Sequence, residues 1–306
     1  NKKTNLQTWE ISASSKQLRD SNENPKERKT EMSFLLKLSR TVFLRKTIYG
    51  LLALIDKVFS RQEQVIVLCY HSIGEGDFYF STSQAEFKKQ IDLLIKKGYD
   101  SLSPTDFQSW LENGAEKLST PKFLLTFDDG YRDVLAIKDF LREKGIKPIM
   151  FVLSDEEKVS KEELGAEKSL LSKEEILELK KNGWEIGSHG ATHGDFEKMG
   201  RGELENEIAG SKKKLEEKLG FAIDYFAYPK GVYDKTILDL VASAGYKLAF
   251  SMDDGSIFFQ TNRYTIPRIG INKSHSSGEF LAVFSLTVIK FRVIIKKIFY
   301  LIKSEK

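Results

Sequence analysis

The sequence predicts an α/β fold whose parallel strands close into a barrel, and three observations carry that expectation. Short apolar, strand-like runs alternate along the chain with helical patterns, the order of elements that builds a parallel sheet. The number of such units fits a closed barrel. Residues able to do chemistry cluster where the strand-like runs end, which is the end of a barrel at which active sites sit. At 306 residues the chain has room for one large domain with appendages.

Taken in order, residues 1–31 are rich in Asn, Ser, Lys and Glu with few apolar side chains, and predict a disordered tail. Residues 32–62 are apolar but interrupted by Lys37, Arg40, Arg45, Lys46, Asp56 and Lys57. A membrane span wants about twenty nearly uncharged residues, so a basic amphipathic helical segment is expected there instead. The barrel is expected over 63–275. Its strands are predicted at 64–70, 122–127, 148–153, 184–188, 224–228 and 247–251, and its clearest helices at 84–97, 104–113, 131–144, 172–182, 201–219 and 233–244. From 276 to 306 the chain is apolar and basic again, with Lys290, Arg292, Lys296, Lys297 and Lys303 and no acid from Phe280 to Lys303. Such a helix suits an anionic membrane surface, and equally a barrel surface on which the lysines snorkel to water.

The chemistry starts at Leu124-Leu125-Thr126-Phe127-Asp128-Asp129-Gly130-Tyr131, an apolar strand running into two carboxylates and a glycine that permits a sharp turn. Side chains alternate faces along a strand, so two consecutive aspartates reach one site only at the strand-to-loop corner. There, one carboxylate is able to bind a cation while its neighbour handles a proton. The second stretch, Ser188-His189-Gly190-Ala191-Thr192-His193, follows the apolar run at 184–187. On a helical turn its two imidazoles would share one face and grip one ion. Two His and one Asp make a three-ligand set with open positions, the mark of a catalytic metal centre. Alone, Asp-Asp-Gly reads as a turn and the His pair as a surface coincidence; together, in a chain with only four histidines, they point to a metal hydrolase. Zinc suits the ligands best, and cobalt, nickel or iron fit similar sets. Which aspartate does which job is left open by the chemistry.

These runs resemble the first two motifs of the NodB-homology polysaccharide deacetylases, carbohydrate esterase family 4, and the resemblance extends over roughly residues 64–272. It sharpens the expected fold to a distorted (β/α)7-type barrel and implies removal of N-acetyl groups from an N-acetylated amino-sugar polysaccharide. The expected place of action is the cell envelope or outside the cell, with membrane association and the cytoplasmic face left open. It also implies Asp128 as base and Asp129, His189 and His193 as metal ligands. Tyr225-Phe226-Ala227-Tyr228-Pro229-Lys230-Gly231 resembles the next motif, with Tyr228, Pro229 and Lys230 at the substrate and a backbone N–H after Pro229 as oxyanion donor. Where that motif commonly carries an arginine this chain has Ala227, so Arg268, in Ile266-Pro267-Arg268, is the candidate partner of the base. The family's late Leu-x-His is missing. Leu68-Cys69-Tyr70-His71 matches the version that the poly-β-1,6-N-acetylglucosamine deacetylase branch carries near its N-terminus, which makes His71 the general acid.

Other residues read more plainly. His275 lies in a polar run and is expected at the surface; Asp253-Asp254-Gly255 reads as a turn, and Cys69, the sole cysteine, as a buried small hydrophobe. The net charge of +4 is a small excess, and no motif supports nucleic-acid binding. A second function class stays open: a catalytically weak or inactive, membrane-associated carbohydrate binder, suggested by Ala227, Lys230 and the lack of a strict Asp-x-x-Asp-Trp motif.

Overall fold

The computed structural model describes residues 47–52, 65–114, 118–159, 164–165, 169–255, 257–258, 261–275, 277–285 and 287–295. The tail expected at 1–31, all of 32–62 except 47–52, and the last residues of the chain lie outside them. Among the described residues the strands are β1 (Val65–Tyr70), β2 (Asp100–Ser101), β3 (Lys122–Phe127), β4 (Ile149–Val152), β5 (Glu185–Ser188), β6 (Tyr225–Ala227), β7 (Leu248–Phe250) and β8 (Ile269–Gly270). They form one sheet in the order β7-β6-β5-β4-β3-β1-β8, with β2 also on β3, and every strand pair is parallel. The sheet curls, and residues 266–271 carry hydrogen bonds from one edge to the other. Ile266 pairs with Ala249 and Ser251 beside β7, and β8 then runs along Leu68 and Cys69 of β1. This is the distorted barrel expected from the sequence.

Helices between the strands are α1 (Gln84–Lys96), α2 (Pro104–Asn113), α3 (Lys138–Glu143), α4 (Lys173–Lys181), α5 (Arg201–Glu205), α6 (Ser211–Leu219) and α7 (Lys235–Ser243). Their starts are written locally. Ser83, Ser103, Ser172 and Asp234 each accept a first-turn N–H with the side chain, and Ser172 forms a capping box with Glu175. Two predicted helices are interrupted. The stretch predicted at 131–144 opens as a 3₁₀ helix, Arg132–Ile137, because its entry is tied to the neighbouring segment: Arg132 N–H donates to Ser169 O and Leu171 N–H to Gly130 O. The one predicted at 201–219 passes through a π-helical turn, Asn206–Gly210.

Period-two alternation separates two cores. Val67, Leu124, Phe151, Tyr225 and Phe250 fill the barrel, while Leu68, Leu125, Met150, Phe226 and Ala249 pack under the helices. Gly187 faces inward on β5: a Cβ there would fall 2.5 Å from ring carbons of Phe151, so the missing side chain is the space that Phe151 fills.

At the C-terminal end the chain forms α8 (Ser277–Ala282) and a second helical stretch at 287–295, whose residue Val288 is capped by the Ser285 hydroxyl. Phe280, Val283, Phe284, Val288 and Ile289 are buried, and Phe284 packs against Tyr99. The apolar side of this segment is therefore taken up by the barrel, the second of the two surfaces that the sequence left open for it. No helix among the described residues is long and apolar enough to cross a membrane.

Candidate active site

His71, Asp128 and His189 each stand one residue beyond a strand, β1, β3 and β5, and Arg268 stands one residue before β8. Asp128 N–H still donates to Tyr70 O and His189 N–H to Val152 O, so these residues prolong the ladders and keep the inward parity of Val67, Thr126 and Gly187. Regular alternation would send Asp129 outward. Its φ of 69° turns the chain back, and both carboxylates face the barrel mouth. Among the described residues the only other non-glycine positive φ angles are at His193 (59°) and Lys230 (57°). Each such residue stores about 1–3 kcal/mol of strain, held by the surrounding packing, and strain of this kind gathers at functional sites.

Asp128 and Arg268 form a buried, bidentate pair. Arg268 Nη1 donates to Asp128 Oδ1 and Nη2 to Oδ2, both at 2.7 Å. The guanidinium is itself fixed by Ser251 O at 3.0 Å, Thr126 Oγ1 at 3.2 Å and the face of Phe151. Burial pushes the Asp128 carboxyl up, but the Arg268 charge and that of His189 outweigh it and hold the group below the usual carboxylate range. Cys69 Sγ lies 3.3 Å from Asp128 Oδ2 as a donor; burial pushes its thiol far up, so it stays a thiol and no nucleophile.

Beside this pair, Asp129 Oδ1 sits 3.4 Å from His189 Nε2 and 3.5 Å from His193 Nε2. His189 Nδ1 is 2.8 Å from Ala227 O, a carbonyl that can only accept, so Nδ1 carries a proton and Nε2 is the ring nitrogen turned toward Asp129. Asp129 Oδ1 is buried without a hydrogen-bond partner, and the three ligand atoms lie within 4.8 Å of one another. Two imidazoles and an orphaned carboxylate oxygen pointing at one another fit a divalent metal ion. The histidines do not converge by helical spacing, as the sequence suggested. They meet because the 189–193 loop turns through left-handed residues, Gly190 (φ 84°) and His193, that a helix excludes.

His71 lies on the opposite flank of Asp128: a ring nitrogen of His71, Cys69 Sγ and an Asp128 oxygen are within 4.8 Å of one another. Its ring leans on Phe80 with centroids 4.9 Å apart, and its Nδ1 is buried without a hydrogen-bond partner. Burial lowers its pKa, partly opposed by Asp129 and Asp128. Pro229 and Lys230 border the same mouth, in a tight turn where a Cβ on Gly190 would come 3.4 Å from Pro229.

Three expectations need correction. The Tyr228 side chain is not at the site; its parity is outward, and its hydroxyl donates to Tyr264 O at 2.8 Å in the outer core. His275 is buried rather than at the surface, because its Nδ1 accepts from Asn272 N–H and its carbonyl from Gln90. Asp253 and Asp254 do more than turn the chain: Asp253 accepts from Tyr233 and Asp254 pairs with Arg292 of the C-terminal segment. Two residues that the sequence reading gave no role support the site, Thr126 behind Arg268 and Glu207 behind the histidine loop. Only the inward parity of Thr126 and the acid inside a predicted helix hinted at them.

Residues 115–249 match the family model described as polysaccharide deacetylase. The Bacillus subtilis protein YxkH is 26% identical over 215 residues, covering 70% of this chain and 74% of that protein. A poly-beta-1,6-N-acetyl-D-glucosamine N-deacetylase of Staphylococcus aureus is 24% identical over 244 residues, covering 71% of this chain and 81% of that enzyme. Among solved structures, IcaB from Ammonifex degensii shares the fold, with a TM-score of 0.62 at 24% identity over 73% of this chain and 97% of that one.

Proposed function

We propose that this chain, whose residues 115–249 match the polysaccharide deacetylase family model, removes N-acetyl groups from an N-acetylated amino-sugar polysaccharide with Asp128 as base and His71 as acid. The observation that supports the reading is the different surroundings of two neighbouring carboxylates at one corner. Asp128 is held by an arginine, whereas Asp129 faces two histidines and keeps an oxygen unclaimed.

Asp129, His189 and His193 would hold the metal, zinc by preference, with cobalt, nickel and iron as alternatives. When bound it would supply Lewis-acid polarisation of the acetyl carbonyl and acidify a water molecule. Asp128, kept ionised by Arg268, takes the proton of the attacking water; the bidentate pair also fixes where that oxygen atom of the base points. The backbone N–H of Lys230, after Pro229, is the donor assigned to the developing oxyanion. On the other flank His71 gives a proton to the amide nitrogen as its bond to the acetyl carbon breaks, releasing acetate and a free amino sugar.

The likeness to a poly-beta-1,6-N-acetyl-D-glucosamine N-deacetylase makes β-1,6-linked N-acetylglucosamine the first substrate to try. A polymer substrate of this kind puts the place of action at the cell envelope or outside the cell, with residues 63–275 as the catalytic unit. The alternative of an inactive carbohydrate binder drew on Ala227, and Arg268 supplies the guanidinium that Ala227 lacks. Acetate release from β-1,6 and β-1,4 N-acetylglucosamine oligomers tests the reading. The wild type should release acetate and Asp128→Asn should be slower by roughly 10²–10⁴-fold. Absence of release from both oligomers by metal-loaded protein would favour the binder.

A further inference from the structure

Glu207 is a buried acid that this mechanism does not use, 3% exposed, and it reaches every residue between the two histidines. Its Oε2 accepts the Ala191 N–H at 2.8 Å and the Thr192 N–H at 3.1 Å, and Oε1 accepts from Thr192 N–H and from the Thr192 hydroxyl. A Cβ on Gly190 would fall 2.8 Å from Oε2, so the carboxylate lies against that α-carbon. All these donors belong to one loop, whose conformation alone brings His193 toward Asp129.

The local chain is built to deliver this carboxylate. Glu207 sits in the π-helical turn Asn206–Gly210, and the widened backbone of such a turn re-aims side chains, which is why π turns recur at functional sites. The same helix is pinned to the strand that carries the first histidine: Ser211 Oγ lies 2.8 Å from Ser188 Oγ, which also accepts the Gly190 N–H. A carboxyl group without partners would be costly at this depth. Three backbone and hydroxyl donors of the loop satisfy it, so the loop and the acid fix each other.

We propose that Glu207 is a positioning residue that presets the 189–193 loop for metal capture, setting metal affinity through His189 and His193 without touching metal or substrate. The proposal rests on the reading of Asp129, His189 and His193 as a metal site. It is tested on the full chain by titrating metal-free protein with Co²⁺, following the ligand-field absorption, with Zn²⁺ as competitor and circular dichroism as a control on folding. Glu207→Gln should weaken Co²⁺ and Zn²⁺ binding roughly 10–100-fold, the range seen when partners behind metal ligands are removed, while its acetate release recovers at saturating metal. Thr192→Val, which removes only the hydroxyl bond, should weaken binding less and in the same direction. Folded Glu207→Gln with wild-type affinity overturns the proposal. Should that variant fail to fold, wild-type affinity in Thr192→Val overturns it. If the wild type takes up no more metal than Asp129→Asn, the metal site itself is refuted, an outcome distinct from a Glu207 variant that matches a metal-binding wild type.

Discussion

Asp128 and Arg268 are both almost wholly buried, and each makes the other's burial tolerable. Removing one member of such a pair leaves an uncompensated charge, at a cost of about 3–5 kcal/mol. Arg268→Ala should therefore destabilise the fold by about that much in urea unfolding as well as abolish acetate release, and Arg268→Ala with Asp128→Asn should recover part of the stability and none of the activity. A double variant no more stable than Arg268→Ala alone would contradict the pairing. Arg268 was legible only by comparison with a known motif pattern, since it stands 140 residues from its partner. Tyr228 misled because motif position says nothing of parity: one residue after Ala227, its ring must face the other way. His275 misled because polar neighbours, Asn272 among them, bury it by bonding to it rather than by exposing it.

At the scale of elements, strand alternation was the most readable property. The apolar runs fixed which residues face inward, and the site lies on the prolongation of those inward rows. Gly187 follows from the same rows. Gly187→Ala places a methyl inside the Phe151 ring's contact distance and should cost about 1–3 kcal/mol or more in thermal unfolding, whereas a neutral result would mean that the barrel interior is loosely packed. Loops were less readable, because their shape is set by distant partners. The loop after β4 is an example: Ser154 and Asp155 N–H groups donate to Gly190 and Ala191 carbonyls, and the Asp155 carboxylate pairs with Lys158 and Lys214. Burial pushes Asp155 up, but the two lysines prevail and hold it below its ordinary value. A folded pKa below the unfolded one contributes stability that is complete above the unfolded value and lost as pH falls through the folded value. Asp155→Asn should therefore be less stable than wild type by about 1–2 kcal/mol near neutrality, with the gap closing below about pH 4. A gap that widens in acid would refute the assignment.

For the molecule as a whole, barrel closure and the fate of the C-terminal segment were hidden for one reason. Ile269–Gly270 is a two-residue strand and too short to show periodicity, although Ile266 through Ile271 join the two sheet edges. Likewise the pattern of 280–295 shows an apolar face but not what covers it; here the cover is the barrel, with Phe284 against Tyr99 and Phe280, Val283 and Ile289 in the same core. Phe284→Ala should cost about 3–5 kcal/mol of stability, and an unchanged unfolding midpoint would speak against this docking.

The central claim is that two neighbouring aspartates divide one reaction, Asp129 holding the metal and Asp128 moving the proton. Bound divalent metal per chain, measured by elemental analysis on wild type, Asp128→Asn and Asp129→Asn alongside acetate release, tests it most directly. The account predicts that Asp128→Asn keeps its metal and loses acetate release, while Asp129→Asn loses both. Metal retained by Asp129→Asn and lost from Asp128→Asn would contradict it.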